Sequence, residues 1–461
     1  MRIAIVHYHL RPGGVTRVID SARAALGDSF RLAVLAGDTL PALDYAPAPP
    51  SIEPGALADQ LEAAARAALG GTPDLWHIHN HSLGRNPAAT AAFAALARRG
   101  HRLVLHIHDF AEDGRPANYR LLREGLGDTL GATLYPDAPH VHYAVLNRRD
   151  FDALANAGVP AHRLHELPNP VMPLEAERTA PSGPPLVLYP TRALRRKNIG
   201  EFLLWSALET KGRRFALTLA PTSPADVAPY EQWKALAARL QLPVDFEAGL
   251  QPGATLASLL ARAECVVTTS VAEGFGLAFT EPWLANRPLA GRALPEITGS
   301  MEAAGLDLGH LYTRLEAPVS WIGSGALRAH IENALRATAD AYGERMDRDA
   351  VDRAWAAFVR EDRVDVGRLD EPLQAELVTR VQNDTAARNA LRPANLASTA
   401  DIAANRRVVE SHFSLAGYKA RLEALYRAVA GSATGPLGAH DADAVRRFFL
   451  DPALLFLLRS T

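Results

Sequence analysis

A single cysteine, Cys265, stands among 461 residues, and one thiol can build neither a disulfide nor a thiolate metal site within the chain. Its place in the apolar run CVVTTS predicts a buried, inert side chain. Excess charge of either sign is also missing: 49 basic against 51 acidic residues leave a formal charge of -2. That balance excludes bulk attraction to nucleic acid or to an anionic lipid surface, so any anion must be held by local groups. The opening MRIAIVHYHL lacks the apolar core of an export signal and alternates like a half-buried strand; the expectation is a cytoplasmic protein. Internal repeats and long low-complexity tracts are absent, and the one Pro-rich stretch, Pro41 to Pro54, is expected to be a loop.

What is present is apolar material for two cores. Hydrophobic residues make up 48%, and the length calls for two domains of roughly 150 to 220 residues. Up to residue 172, short apolar runs at Ile3–His9, Leu32–Leu35, Leu75–His79, Leu103–His108 and Val141–Leu146 alternate with helical stretches at Val15–Leu26, Leu57–Leu69, Ala88–Arg98 and Arg149–Ala157. Strict alternation of this kind predicts a parallel sheet covered on both faces. Residues 173–185, rich in proline and charge, read as a linker. A second alternation follows, with strands expected at Leu186–Tyr189, Phe215–Leu219, Val244–Phe246, Cys265–Thr269 and Pro288–Ala290, and helices at Ile199–Lys211, Tyr230–Gln241, Leu256–Ala263 and Leu277–Asn286. After about residue 325 the strand signal ends, and Ile402–Val429 reads as a long helix able to pack back across both domains. The expected division is 1–172, linker 173–185, 186–400 and a helical 401–461.

Three regions carry chemistry. The first strand runs into Arg11-Pro12-Gly13-Gly14-Val15, where glycine lets backbone amides approach a phosphate or sugar at a helix N-terminus; a plain tight turn is the rival reading. In VLYPTRALRRKNIGEF, Arg192 leaves a strand and Lys197 precedes a helix. Two such cations can neutralise a diphosphate, although Arg195 and Arg196 beside them also fit a solvated basic loop. In SVAEGFGLAFTEPWLANRPLAG, Glu273 and Glu281 flank a Gly-rich turn, with Glu281 expected about two turns into a helix. Together the three supply donors for phosphates, an acceptor for ribose hydroxyls and a polar group near a sugar.

The Glu-x7-Glu spacing of EGFGLAFTE, with Arg192, Lys197, Gly13-Gly14, a strand-end His108 in LHIHDF and LPNPV at 167–171, resembles the retaining GT-B glycosyltransferases of family four. The resemblance implies two Rossmann-like doubly wound α/β domains facing across a cleft, the second binding the nucleotide sugar, with closure over the donor. Carried onto this sequence, it implies that Arg192 and Lys197 bind the donor diphosphate, Glu281 the ribose and Glu273 the transferred sugar. The amides of Phe275, Gly276 and Leu277 would assist, Gly13 and Gly14 would approach the phosphate, and His108 would sit at the reacting face. A hexose would pass to a hydroxyl acceptor with retention, UDP-glucose and GDP-mannose being the donors of precedent. Without an Asp-x-Asp at a strand end, the cations replace a metal; neither metal nor cofactor is expected.

The chain departs from the usual family pattern after Glu281, which is followed by Pro-Trp-Leu-Ala, and in GRALPEIT at 291–298, which lacks a Gly-Gly. Both changes fall where the sugar would rest. Polar residues after His108, among them Arg115, Asn118, Tyr119 and Arg120, are candidates for binding the acceptor, or form an ordinary helix start. His77, His79 and His81, and His106 and His108, alternate along their strands and so line one face each; lining a polar cleft is favoured over a zinc site. The mostly alanine helix Ala88–Arg99 is a poor membrane anchor, which favours a soluble acceptor. A sugar-nucleotide epimerase of the same shape and a two-lobed solute-binding protein are the alternative classes.

Overall fold

The computed structural model describes residues 1–46, 52–174, 184–391, 396 and 398–460. Most of the expected linker and part of the Pro41–Pro54 loop lie outside them. The chain divides into two compact units, the first made of Met1–Pro170, Ala341–Glu344 and Phe413–Asp451, the second of Val171–Asp340, Arg345–His412 and Pro452–Thr461.

The first unit is built on strands β1 (Arg2–Val6), β2 (Arg31–Leu35), β3 (Leu75–His79) and β4 (Leu103–Ile107). A two-residue β5 (Pro136–Asp137), β6 (Val141–Val145) and β7 (Leu164–Glu166) follow. Six form one parallel sheet in the order β2-β1-β3-β4-β6-β7. The order reverses between β1 and β3, and in open α/β sheets a ligand crevice opens beyond the carboxyl ends of the strands at such a point. One face, with Ile3, Ile5, Leu75, Val104 and Ala144, packs on Val18, Ile19 and Ala22 of helix Gly14–Leu26 and on Tyr418, Leu422 and Tyr426 of helix Leu415–Ala430. The opposite face, with Ala4, Val6, Trp76, Ile78 and Leu105, holds Leu57, Leu61, Phe93 and Leu96. Each Val, Leu, Ile or Phe side chain so removed from water contributes roughly 1.5 to 3 kcal/mol.

The second unit repeats the plan. Strands β8 (Leu186–Arg192), β9 (Arg214–Leu219), β10 (Val244–Asp245), β11 (Ala263–Thr268) and β12 (Leu289–Gly291) form a parallel sheet ordered β10-β9-β8-β11-β12. Its reversal lies between β8 and β11. Phe202, Leu203 and Leu204 of helix Ile199–Ala207 are wholly buried in its core. Cys265 belongs to the same core, and burial pushes its thiol up to about 12, which keeps it unreactive at neutral pH.

Three expectations need correction. Strands continue past residue 325: β14 (Val359–Arg360) and β15 (Arg363–Asp365) join the earlier β13 (Glu316–Pro318) in a small antiparallel sheet, while β16 (Gly438–Ala439) pairs with β5. Such two- and three-residue strands are too short to leave a period of two in the sequence. The run 402–429 is two helices, Ile402–His412 and Leu415–Ala430, because Ser414 caps the second through a 3.1 Å bond from the Gly417 amide. The stretch from Leu277 to Asn286 is a 3-10 turn, Leu277–Phe279, then a four-residue helix, Glu281–Leu284. Pro282 explains the restart, since proline is tolerated only in a helix's first turn. Glu281 therefore opens a helix rather than lying two turns into one.

Candidate functional site

In the second unit the carboxyl ends of β8 and β11 lie side by side, and the turns leaving them meet. The β8 turn closes as the 3-10 segment Arg195–Lys197 followed by Asn198 in the left-handed region, φ 54°. Its carbonyls are tied to the β11 side, where Thr269 Oγ1 donates to Lys197 O and Asn198 O at 3.0 Å each and the Val271 amide donates to Arg196 O at 2.9 Å, and to β8 itself, where Tyr189 Oη donates to Lys197 O at 3.1 Å. This clasp brings the Lys197 ammonium onto Glu273, whose Oε1 also accepts from Ser270 Oγ at 2.7 Å. Asn198 is held in turn by Gln374, 2.8 Å, and bonds Glu201, 2.8 Å. Glu201 is fixed by the buried Arg292, whose guanidinium pairs with both Glu201 and Asp365 at 2.6 to 3.1 Å. A rigid frame thus stands under the one turn that carries Lys197.

The charges are mutually dependent. Burial depresses the Lys197 pKa and outweighs the opposing pull of Glu273; Arg196 lowers it further, while Glu281 raises it. Burial works against ionisation of Glu273, but the charges of Lys197 and Arg196 overcome it and hold the carboxyl below its usual range. Lys197, Arg196, Glu273 and Glu281 therefore share one electrostatic neighbourhood. Arg196 is the residue that sequence reading passed over. Its Nη1 is buried with no hydrogen-bond partner among the described residues, whereas Arg195 is spent on Glu371 (2.6 and 3.0 Å) and Ser460 O (3.1 Å). Its position directly before Lys197 was the available signal. Arg192, at the end of β8, is exposed and donates to Ala220 O at 2.9 Å.

In the Gly-rich turn, Gly276 has φ 86°, and a Cβ there would lie 2.8 Å from the Phe279 ring and 3.2 Å from Ile297. Glycine is required by the fold at that position. Phe275 is buried and Leu277 is exposed.

In the first unit, Gly13 is extended and Gly14 begins its helix. Neither has a left-handed φ, and a Cβ on Gly14 would meet nothing within 4 Å. Backbone strain therefore does not require glycine at either position. His108 follows β4, its amide and that of Asp109 both donating to Asn80 Oδ1 at 2.8 and 2.9 Å. By strand register its ring continues a row of imidazoles across one sheet face, from His7 through His77, His79 and His106 to His142 and His165. His79 Nδ1 and His108 Nε2 are 2.9 Å apart, His77 Nε2 and His106 Nδ1 3.1 Å, and His142 Nδ1 and His165 Nε2 2.9 Å. Nitrogens of His77, His79 and His106 lie within 4.8 Å of one another, a spacing that could hold a metal ion. The His77 ring is stacked at 22° on His79 and 20° on His106, and its Nε2 is taken up by the contact with His106 Nδ1.

The polar stretch after His108 is mostly turned inward. Arg115 pairs with Asp109 and donates to Phe110 O and Asp113 O, at 3.1 and 3.0 Å. Asn118 donates to Leu83 O, 2.8 Å, and Tyr119 Oη accepts from Arg446, 2.8 Å. Asn118 and Tyr119 are buried by these bonds, whereas Arg120 is exposed.

No family model matches the chain. A curated relative, mannosylglucosyl-3-phosphoglycerate synthase of Petrotoga mobilis, is 26% identical over 327 residues, 60% of this chain and 62% of the relative. The chain thus spans less than two thirds of that protein's length. Two solved structures superpose over nearly their whole length. One is Anabaena HepE in complex with UDP and glucose (TM-score 0.52, 14% identity, 93% of this chain, 99% of that one). The other is sucrose-phosphate synthase of Thermosynechococcus elongatus (TM-score 0.52, 15% identity, 92% and 98%). The chain resembles the GT-B glycosyltransferases of family four. In GT-B terms, the reversal of β8 and β11 that carries Lys197 and Glu273 is in the second Rossmann-like unit, and His108, Gly13 and Gly14 are in the first. No described helix is long and apolar enough to cross a membrane.

Proposed function

We propose that the protein is a retaining, metal-independent glycosyltransferase that moves a hexose from a nucleoside diphosphate sugar to a hydroxyl of a soluble acceptor in the cytoplasm. The observation that carries this reading is the meeting of Lys197, Arg196, Glu273 and Glu281 at the switch point of the second sheet. Cleavage of the sugar–phosphate bond leaves a diphosphate anion and an oxocarbenium-like carbon. Fixed cations in a partly dry site stabilise the former without reorganisation. Arg192, swinging from the Ala220 carbonyl, would complete the clamp.

Glu281, at the first position of a helix, would accept hydrogen bonds from the ribose; Glu273 and the amides of Phe275, Gly276 and Leu277 would face the sugar. Gly14 supports the reading from the first unit, since its open surroundings admit a ligand against the backbone. Arg115 and Arg120 are the remaining acceptor candidates. The Petrotoga relative is named for a mannosylglucosyl product and the HepE structure holds UDP and glucose, so GDP-mannose and UDP-glucose are the donors to try first.

Thermal shift with nucleoside diphosphates and their sugars, followed by product analysis with candidate acceptors, tests the proposal. A specific donor should raise the melting temperature, transfer should persist in excess EDTA, and the anomeric proton couplings of the product should match those of the donor. Absence of any shift, complete loss in EDTA or an inverted product each overturns the corresponding part. A new sugar–acceptor bond separates transfer from epimerisation.

A further inference from the structure

We infer that His79 is a positioning residue that holds His108 as its Nδ1–H tautomer, so that this ring offers a ligand a hydrogen-bond donor and not a base. The inference rests on the proposed function only for what the donor serves; the tautomer itself follows from the packing.

A neutral imidazole carries one N–H and one lone pair. His79 and His108 are neutral: both are buried, other imidazoles surround them, and burial holds His108 at about 3 despite the opposing charge of Asp109. Their bond, 2.9 Å between His79 Nδ1 and His108 Nε2, has one donor. His79 Nε2 decides which. That atom is buried with no partner among the described residues, and an orphaned N–H is far rarer in folded proteins than an under-used acceptor. The proton is therefore on His79 Nδ1, which donates to His108 Nε2 and leaves the His108 proton on Nδ1. Charging His108 would force its Nε2–H against His79 Nδ1 and drive the His79 proton onto the orphaned atom.

The neighbouring pair repeats the pattern. His106 Nε2 is also buried and unpartnered among the described residues, so His106 Nδ1–H donates to His77 Nε2, and His77 Nδ1–H donates to Tyr426 Oη at 2.7 Å. His108 is 8% exposed, and its Nδ1 makes no hydrogen bond among the described residues, which leaves that atom for a ligand oxygen. In the proposed transfer His108 cannot take up the acceptor proton through Nδ1. As the sugar–phosphate bond breaks and the sugar–acceptor bond forms, that proton goes to the departing phosphate oxygen.

Long-range proton–nitrogen correlation on the full chain labelled with nitrogen-15 histidine, at neutral pH, tests this directly, with His108 assigned by its loss in His108→Gln. The expected spectrum shows His108 Nδ1 protonated and Nε2 bare; the reverse overturns the inference. A firmly bound stoichiometric metal that disappears in His79→Asn also overturns it, because a metal would take the lone pairs. His79→Asn keeps an amide donor near the Nδ1 position, whereas His79→Gln moves it toward Nε2. The former should retain kcat within about twofold and the latter lower it roughly tenfold with the donor KM unchanged, the loss of one hydrogen bond in the transition state. Equal loss in both contradicts the positioning role. If no nucleotide sugar is ever turned over, the functional reading fails while the spectrum still decides the tautomer.

Discussion

Lys197 and Glu273 form a largely buried ion pair although 76 positions separate them in the chain. Removing one partner strands the other charge, which typically costs about 3 kcal/mol in such a setting. Lys197→Ala should therefore lower stability by about that amount and kcat by a hundredfold or more. The double variant Lys197→Met/Glu273→Gln should recover most of the stability and none of the activity. Urea unfolding beside steady-state rates measures both; recovery of activity in the double variant would remove Lys197 from the chemistry.

The proposed ribose role of Glu281 has a selective consequence. Glu281→Ala should weaken binding of a nucleoside diphosphate roughly tenfold, about 1.4 kcal/mol, while leaving inorganic diphosphate unaffected. Titration calorimetry with both ligands separates the roles. An equal loss for inorganic diphosphate would place Glu281 elsewhere.

Two glycines should respond in opposite ways. Gly276 combines φ 86° with a 2.8 Å clash for any Cβ, so Gly276→Ala should destabilise by roughly 1 to 3 kcal/mol. Gly14 is helical with open space before it, so Gly14→Ala should leave the melting temperature unchanged or slightly higher yet weaken substrate binding. A Gly14→Ala protein with unaltered KM values would return that turn to mere structure.

Glu112 supplies a pH dependence. Its carboxyl is buried, bonded by Tyr135 Oη at 3.0 Å, and burial pushes it from 4.5 up to about 7. A raised carboxyl stabilises the fold fully below its unfolded pKa of 4.5, and that contribution is lost as pH rises through 7, on the order of 3 kcal/mol in all. Glu112→Gln should therefore gain melting temperature over wild type at pH 8 and lose the gain at pH 4.5. Parallel curves for the two proteins would contradict this.

The two sheets were legible because most of their strands are five or more residues long and strongly apolar, as Leu75–His79 and Leu103–Ile107 show, whereas the three-residue Leu164–Glu166 left no signal. The nearness of Lys197 to Glu273 was legible for another reason: the Arg192 to Lys197 and Glu273 to Glu281 segments each leave a strand of one sheet. What escaped were features fixed by distant partners. Arg195 and Arg196 are adjacent and chemically alike, and only Glu371 on one side and the Glu273 carboxyl on the other tell them apart. Asn118 and Tyr119 looked like surface polar residues until Leu83 and Arg446 claimed them. The helix break at Ser414 is a single hydroxyl acting against the helical periodicity of the whole run 402–429.

The row of imidazoles makes the proton itself a denaturant of the first unit. Burial, helped by neighbouring imidazoles, holds His77 and His108 near 3, His7, His142 and His165 near 4, and His79 and His106 well below 6.5. An unfolded chain binds protons at each of these sites from pH 6.5 downward, whereas the folded unit refuses them, so stability present above that pH drains away as it falls. Because several protons are taken up in one event, acid unfolding of this unit should be steep in pH, a threshold and not a slope.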